Sequence, residues 1–150
     1  MGVNILMSFL LFFQLTLDQV RNNYTKAVND KQVCELMIKE LENSSNNDVS
    51  LAYLGAFQTI WANHVINPLS KYNTFVKGKK NIEKAVKSSP NNIEIRFLRY
   101  SVQKNAPSFL GYNDNITEDL NYIKKHKNVR GRRFGARHNR AFIWPSLRIL

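Results

Sequence analysis

Three prolines and three reciprocal cap pairs divide this chain into helix-length pieces, and that punctuation limits the fold more than any other feature. Pro68, Pro90 and Pro107 each fall where an apolar run at helical spacing ends, and proline has no amide with which to continue a helical ladder. Thr16 with Gln19, Asn91 with Glu94 and Asn115 with Glu118 each set a cap-forming side chain three residues ahead of a glutamine or glutamate. That spacing satisfies two otherwise unpaired amides at a helix start. No segment alternates apolar and polar residues between turn dipeptides, as a half-buried strand would. The predicted class is all-α, with about three antiparallel helix pairs.

The apolar stripes assign faces to these helices. Leu17, Val20, Tyr24 and Ala27/Val28 make the first stripe, Asn29 and Asp30 interrupt it, and Val33, Leu36/Met37 and Leu41 make the second. Residues 49 to 66 carry two stripes at once, a bulky one of Leu54, Phe57, Trp61 and Val65 and a small one of Ala52, Gly55/Ala56, Thr59 and Ala62. Small residues let a neighbouring helix approach closely, so this helix is expected to pack on two sides and to be central. Residues 67 to 70, Asn-Pro-Leu-Ser, end it, and Ser70 is read as the cap of a fourth helix over 71 to 88. That helix buries Phe75/Val76, Ile82 and Ala85/Val86 and turns Lys77, Lys80, Lys84 and Lys87 outward. The fifth, over 92 to 105, is apolar around most of its circumference and leaves only Asn92, Arg96, Arg99 and Gln103 on a polar stripe. Ile116, Leu120 and Ile123 mark a sixth.

Residues 78 to 90 carry a recognisable pattern: Gly78, Ile82, Ala85 and a closing Pro90. The spacing resembles the second helix of a tetratricopeptide (TPR) repeat, in which small residues let paired helices nest and proline closes the repeat. The preceding helix departs from it, lacking the tryptophan, leucine-glycine and tyrosine of the first TPR helix. The longer stretch from Asn67 to Tyr112, behind an apolar leader, is similar to a family of small exported bacterial proteins with TPR-like helices. The resemblance implies a TPR-like right-handed helical array over residues 16 to 127 and export. It implies no activity, cofactor or catalytic residue.

Charge is distributed unevenly. Of the net +11, residues 130 to 150 supply six arginines and no acid, whereas residues 1 to 129 hold 16 basic and 11 acidic side chains. Residues 128 to 150 are therefore read as a basic tail, expected to be disordered or not native to the domain, because lysine usage gives way to arginine there. At the other end, residues 1 to 15 contain an apolar run from Ile5 to Phe13, too short for a transmembrane span and suited to a secretory leader. The expected location is exported, in the periplasm, the envelope or the medium, with the cytoplasm as the alternative. Cys34 is the single cysteine, which excludes an intrachain disulfide.

Chemistry is sparse. A catalytic site needs an acid or base, a nucleophile or a metal held together. His64 stands near Trp61, His126 and His138 lie among basic residues, and Asp114, Glu118 and Asp119 fit helix-start electrostatics. No metalloprotease, P-loop, nucleophile-elbow or EF-hand pattern is present. The expectation is a non-enzymatic protein-interaction or structural module with no catalytic residue, cofactor or metal. Its favoured contact residues are Arg96, Arg99 and Tyr100 in a groove between helix pairs; the two arginines, on the open stripe of an inner helix, suit an acidic group of a protein or peptide partner. The alternative for these arginines is an internal salt bridge with Glu94 or another helix's acid, or simple exposure. The alternative function is nucleic-acid binding through the arginine tail, a salt-sensitive mode.

Overall fold

The computed structural model describes residues 15 to 126. The apolar leader as far as residue 14, the arginine tail and His138 lie outside the described residues. The described residues are all-helical, with six α-helices and no strand. They are α1 (Leu17–Tyr24), α2 (Lys31–Ser44), α3 (Asp48–His64), α4 (Pro68–Ser88), α5 (Ile93–Asn105) and α6 (116–126), with single 3-10 turns at Lys26–Val28 and Ser108–Leu110.

Side-chain caps start these helices. The Thr16 and Gln19 pair forms a complete capping box on α1. Asp30 accepts hydrogen bonds from the amides of Gln32 and Val33 at the start of α2, and Asn47 accepts one from Ser50 at the start of α3. Two expected caps move. Asn67 rather than Ser70 caps α4, accepting from the Ser70 amide, and Pro68 takes the first helical position, where its missing amide costs nothing. Pro68 thus starts a helix of 21 residues. Asn92 rather than Asn91 caps α5, accepting from the amides of Glu94 and Ile95. The Glu94 side chain is thereby left for longer-range contacts.

α3 is the central element: it packs against α1, α2, α4 and α5. Every residue from Ala52 to Ile60 is buried, so the small stripe and the Leu54 and Phe57 part of the bulky one are covered, while Trp61 and Val65 are half-buried. Against the small stripe, Gly55 and Gly78 meet backbone to backbone. A Cβ built on either would lie 2.5 Å from the other's carbonyl oxygen. Against the bulky stripe, Tyr24 stands edge-on to both Tyr53 and Phe57, with ring centroids 5.8 and 5.7 Å apart, a favoured aromatic geometry. Two stripe assignments are corrected. Leu36 and Val76 are 52% and 41% exposed, because the helix-to-helix seams run through Cys34/Met37 and through Phe75/Gly78 instead.

Burial raises three phenols. Tyr24 is pushed up to about 12 by loss of solvent. Tyr53 and Tyr112 are raised first by burial and then by the carboxylates of Glu94 and Glu83 beside them. In the unfolded chain a tyrosine titrates near 10. A folded pKa raised above that value stabilises the fold fully below about pH 10, and the contribution is lost as pH climbs through the folded value. The melting temperature is expected to fall by roughly 10 °C between about pH 10 and pH 12, and Tyr24→Phe should flatten the decline. Thermal melts followed by circular dichroism across that range check it.

Candidate interaction surfaces

The polar stripe of α5 faces α6. Arg99 is 5% exposed, and it donates from Nε and Nη2 to the two carboxylate oxygens of Asp119, each at 2.7 Å. Asp119 is fully buried. Arg96 donates to Glu118 at 2.7 Å and to Asp119 at 2.9 Å, and its guanidinium lies 4.4 Å from the centroid of the Tyr122 ring. One turn further along, Gln103 and Asn115 exchange two hydrogen bonds. Burial opposes the Arg99 charge, but hydrogen bonding and charge from Asp119 outweigh it and raise its pKa. Glu118, hydrogen-bonded by Arg96, is held below the usual carboxylate range.

The stripe expected to be open is therefore a helix-to-helix joint. Arg99 is committed inward to the acid of another helix, the alternative weighed from sequence, and Arg96 is largely so. Of the three favoured contact residues Tyr100 is partly exposed, and no face presents all three together.

A second polar cluster ties α1 to α5 and α3. The Arg21 guanidinium donates from Nε and Nη2 to Glu94 at 2.7 and 2.8 Å, and the Tyr53 hydroxyl donates to the same carboxylate at 2.8 Å. Glu94 is 6% exposed. The hydrogen bond with Glu94 raises the Arg21 pKa. Glu94→Ala is expected to cost about 3 kcal/mol, because it leaves the half-buried Arg21 and the buried Tyr53 without their shared acceptor. Urea unfolding read by tryptophan fluorescence measures it.

The remaining candidates are structural in their contacts. His64 Nε2 lies 2.8 Å from the Ala27 carbonyl oxygen, and His126 Nδ1 lies 2.8 Å from that of Tyr122. Lys77, on the lysine face of α4, pairs with Glu42 of α2 at 2.8 Å. Among the described residues no group of three or more His, Cys, Asp or Glu side chains could hold a metal ion. Cys34 is fully buried, its Sγ donates to the Phe57 carbonyl at 3.4 Å, and loss of solvent pushes its pKa up to about 12. Only the thiolate attacks alkylating reagents. Iodoacetamide at about pH 8 is expected to leave Cys34 untouched in the folded protein and to label it fully in denaturant, which intact mass reads directly.

The described residues form at least two concavities. One, of about 350 Å³, lies among α2, α3 and α4 and is lined by charged and polar chains including Glu35, Lys39, Glu42, Gln58 and Lys77, with Trp61 at one side. The other, of about 280 Å³, is apolar. Ala62, Pro68, Tyr72, Phe75, Pro107 and Leu110 are among its lining residues, with Lys71 the charged one. The structure brings this groove together from the end of α3, the first turns of α4 and the turn after α5. Of its lining, Tyr72 is 55% and Phe109 85% exposed, and Ile66 at 97% and Leu69 at 68% lie beside the lining Pro68 in the chain.

Comparison with protein-family models, with curated proteins and with solved structures gives no match. The apolar groove escaped the sequence reading because its walls come from segments 40 residues apart. One signal was present in the sequence. α4 carries apolar residues at 69, 72 and 76 in addition to those at 75, 82, 85 and 86, which is more than one buried face requires.

Among the described residues no helix is long and apolar enough to cross a membrane.

Proposed function

We propose that this chain is a non-enzymatic, exported helical-repeat module that binds another protein, with its helices arranged as three antiparallel pairs in a TPR-like right-handed array. Support for the pairing comes from contacts that run in opposite directions along the chain. The Ser89 hydroxyl after α4 reaches Asp48 at the start of α3, while Pro68 at the start of α4 and Ala62 near the end of α3 line one groove. Between α5 and α6, Arg96 meets Glu118 whereas Gln103 meets Asn115. The TPR-like elements Gly78, Ile82 and Ala85 are all buried, Gly78 and Ile82 against Gly55 of α3. Support for export is the apolar leader of the sequence.

The single observation that carries the function is the set of exposed apolar side chains at the groove, Tyr72 and Phe109 in its lining and Ile66 and Leu69 on either side of the lining Pro68 in the chain. Exposed apolar patches of this kind mark protein-interaction sites. A photoreactive amino acid at position 69 in the native host tests the reading, with one at position 124 as the control face. A discrete intermolecular protein adduct from 69 alone, in the envelope or secreted fraction, is the expected result. Adducts to nucleic acid, or none from either position, would overturn it.

A further inference from the structure

We infer that the polar cavity among α2, α3 and α4 is a saccharide site, taking a neutral mono- or disaccharide unit. Its volume of about 350 Å³ lies at the lower end of the roughly 300 to 1,000 Å³ in which proteins hold small organic ligands. Gln58 of α3 is in its lining at 2% exposure. A side-chain amide has two N–H donors and two acceptor lone pairs. Among the described residues the Gln58 amide donates once, to Glu42 at 3.4 Å, and accepts once, from Asn81 at 2.8 Å. One donor and one lone pair of a buried amide are therefore uncommitted, a state that costs free energy until a partner arrives. A hydroxyl, which both donates and accepts, satisfies either.

The charges around the cavity select a neutral ligand. Glu35, Lys39 and Glu42 follow one another at spacings of four and three along α2, which makes them neighbours on one helix face, and Lys77 of α4 meets Glu42 at 2.8 Å. All four line the cavity. Signs alternate along this row, so a charged group drawn to one member is repelled by the next, whereas hydroxyls donate to the carboxylates and accept from the ammonium groups. Glu35 and Lys39 make no hydrogen bond or ion pair through their side chains with other described residues. Lys77 and Glu42 are 62% and 43% exposed, and an ion pair so open contributes little, so it can give way to a ligand. Trp61 provides the apolar side of the cavity. It is half-buried, with Lys31 Nζ 5.4 Å from the centroid of its ring and the His64 ring 5.9 Å away, contacts that orient the indole. A sugar ring has the matching division, hydroxyls around its edge and C–H groups on its faces for an aromatic wall.

The test is saturation-transfer difference NMR on the full chain, with maltose, cellobiose and N,N′-diacetylchitobiose as neutral probes and free glutamate and lysine as charged ones. At least one disaccharide is expected to bind in the millimolar range, with an affinity that added salt leaves unchanged. Trp61→Ala is expected to weaken that binding about fivefold or more. Glu35→Ala, at an exposed position where folding is not at stake, is expected to do the same, while Leu69→Glu at the apolar groove and Lys125→Ala on α6 leave it unaltered. Transfer to none of the three disaccharides overturns the proposal. Preferential binding of glutamate or lysine, weakening as salt is raised, overturns it in favour of an ionic ligand. Disaccharide binding that neither Trp61→Ala nor Glu35→Ala changes overturns its placement in this cavity. A protein adduct from position 69 in the host is unaffected by any of these results, so protein binding at the apolar groove and saccharide binding here stand or fall separately.

Discussion

Gly78→Ala is expected to destabilise the domain by about 3 kcal/mol or more, enough to lower its melting temperature by more than about 10 °C. The added Cβ would stand 2.5 Å from the Gly55 carbonyl oxygen, 2.8 Å from Thr59 Cγ2 and 2.9 Å from the Thr59 amide nitrogen. Two of those three atoms are backbone of the central helix, so no rotamer change relieves the clash, and α4 must move away from α3. Moving it opens the seam through Phe75, Ile82 and Ala85, all buried at 3% exposure or less. Cores resist such displacement because they are packed to crystalline density. Gly55→Ala meets the reciprocal obstacle and should cost about as much. Gly111→Ala is a different case: its φ is +57° and nothing lies near its Cβ, so the penalty is the local one of a left-handed backbone, about 1 kcal/mol. Thermal unfolding of the three variants side by side measures the ranking. Similar melting temperatures for Gly78→Ala and the unaltered chain would show that the helices are not in backbone contact.

Asp119→Ala is the second large effect, with an expected loss of about 3 to 5 kcal/mol. Asp119 is fully buried and takes three hydrogen bonds, two from Arg99 and one from Arg96. Removing the carboxylate leaves the Arg99 cation, at 5% exposure, with only its longer contacts to Glu83 at 3.4 Å and Glu118 at 3.9 Å, and the cost of a buried charge that has lost its main partner exceeds the worth of the pair itself. The consequence should be local before it is global. This joint ties α6 to α5, so limited proteolysis of Asp119→Ala is expected to cut the connection between residues 106 and 115 before the body of the domain. The double variant Arg99→Met with Asp119→Leu replaces the pair by apolar groups and should recover most of the loss. Urea unfolding of the single and double variants separates these cases. An Asp119→Ala protein as stable as the parent would mean that Arg99 reaches solvent and is available to a partner.

Legibility in the sequence followed the range of the interactions. The Thr16 and Gln19 capping box was readable because its partners are three residues apart. The central position of α3 was readable as well, since its small stripe, Ala52, Gly55/Ala56, Thr59 and Ala62, makes sense only if a second helix lies close. The caps of α4 and α5 were each misplaced because the competing residues, Asn67 against Ser70 and Asn92 against Asn91, differ only in where the first turn begins. Leu36 and Val76 each sit beside a buried residue, and helical spacing alone does not say which of two neighbours faces the seam.

What the sequence determined by itself is local: helices where apolar spacing meets caps and prolines, an all-α class, and a central helix that small residues allow to be covered on two sides. The tertiary structure decided the rest. Arg99 could be read as an open contact or an internal ion pair until Asp119, 20 residues away in the chain, was placed against it. The groove among Ala62, Phe75 and Leu110 exists only where three distant segments meet. The physical reason is the same in both cases. Hydrogen-bond caps and helical periodicity are settled within a few residues of backbone, whereas the burial of a charge or the exposure of an apolar face depends on which other helix arrives beside it.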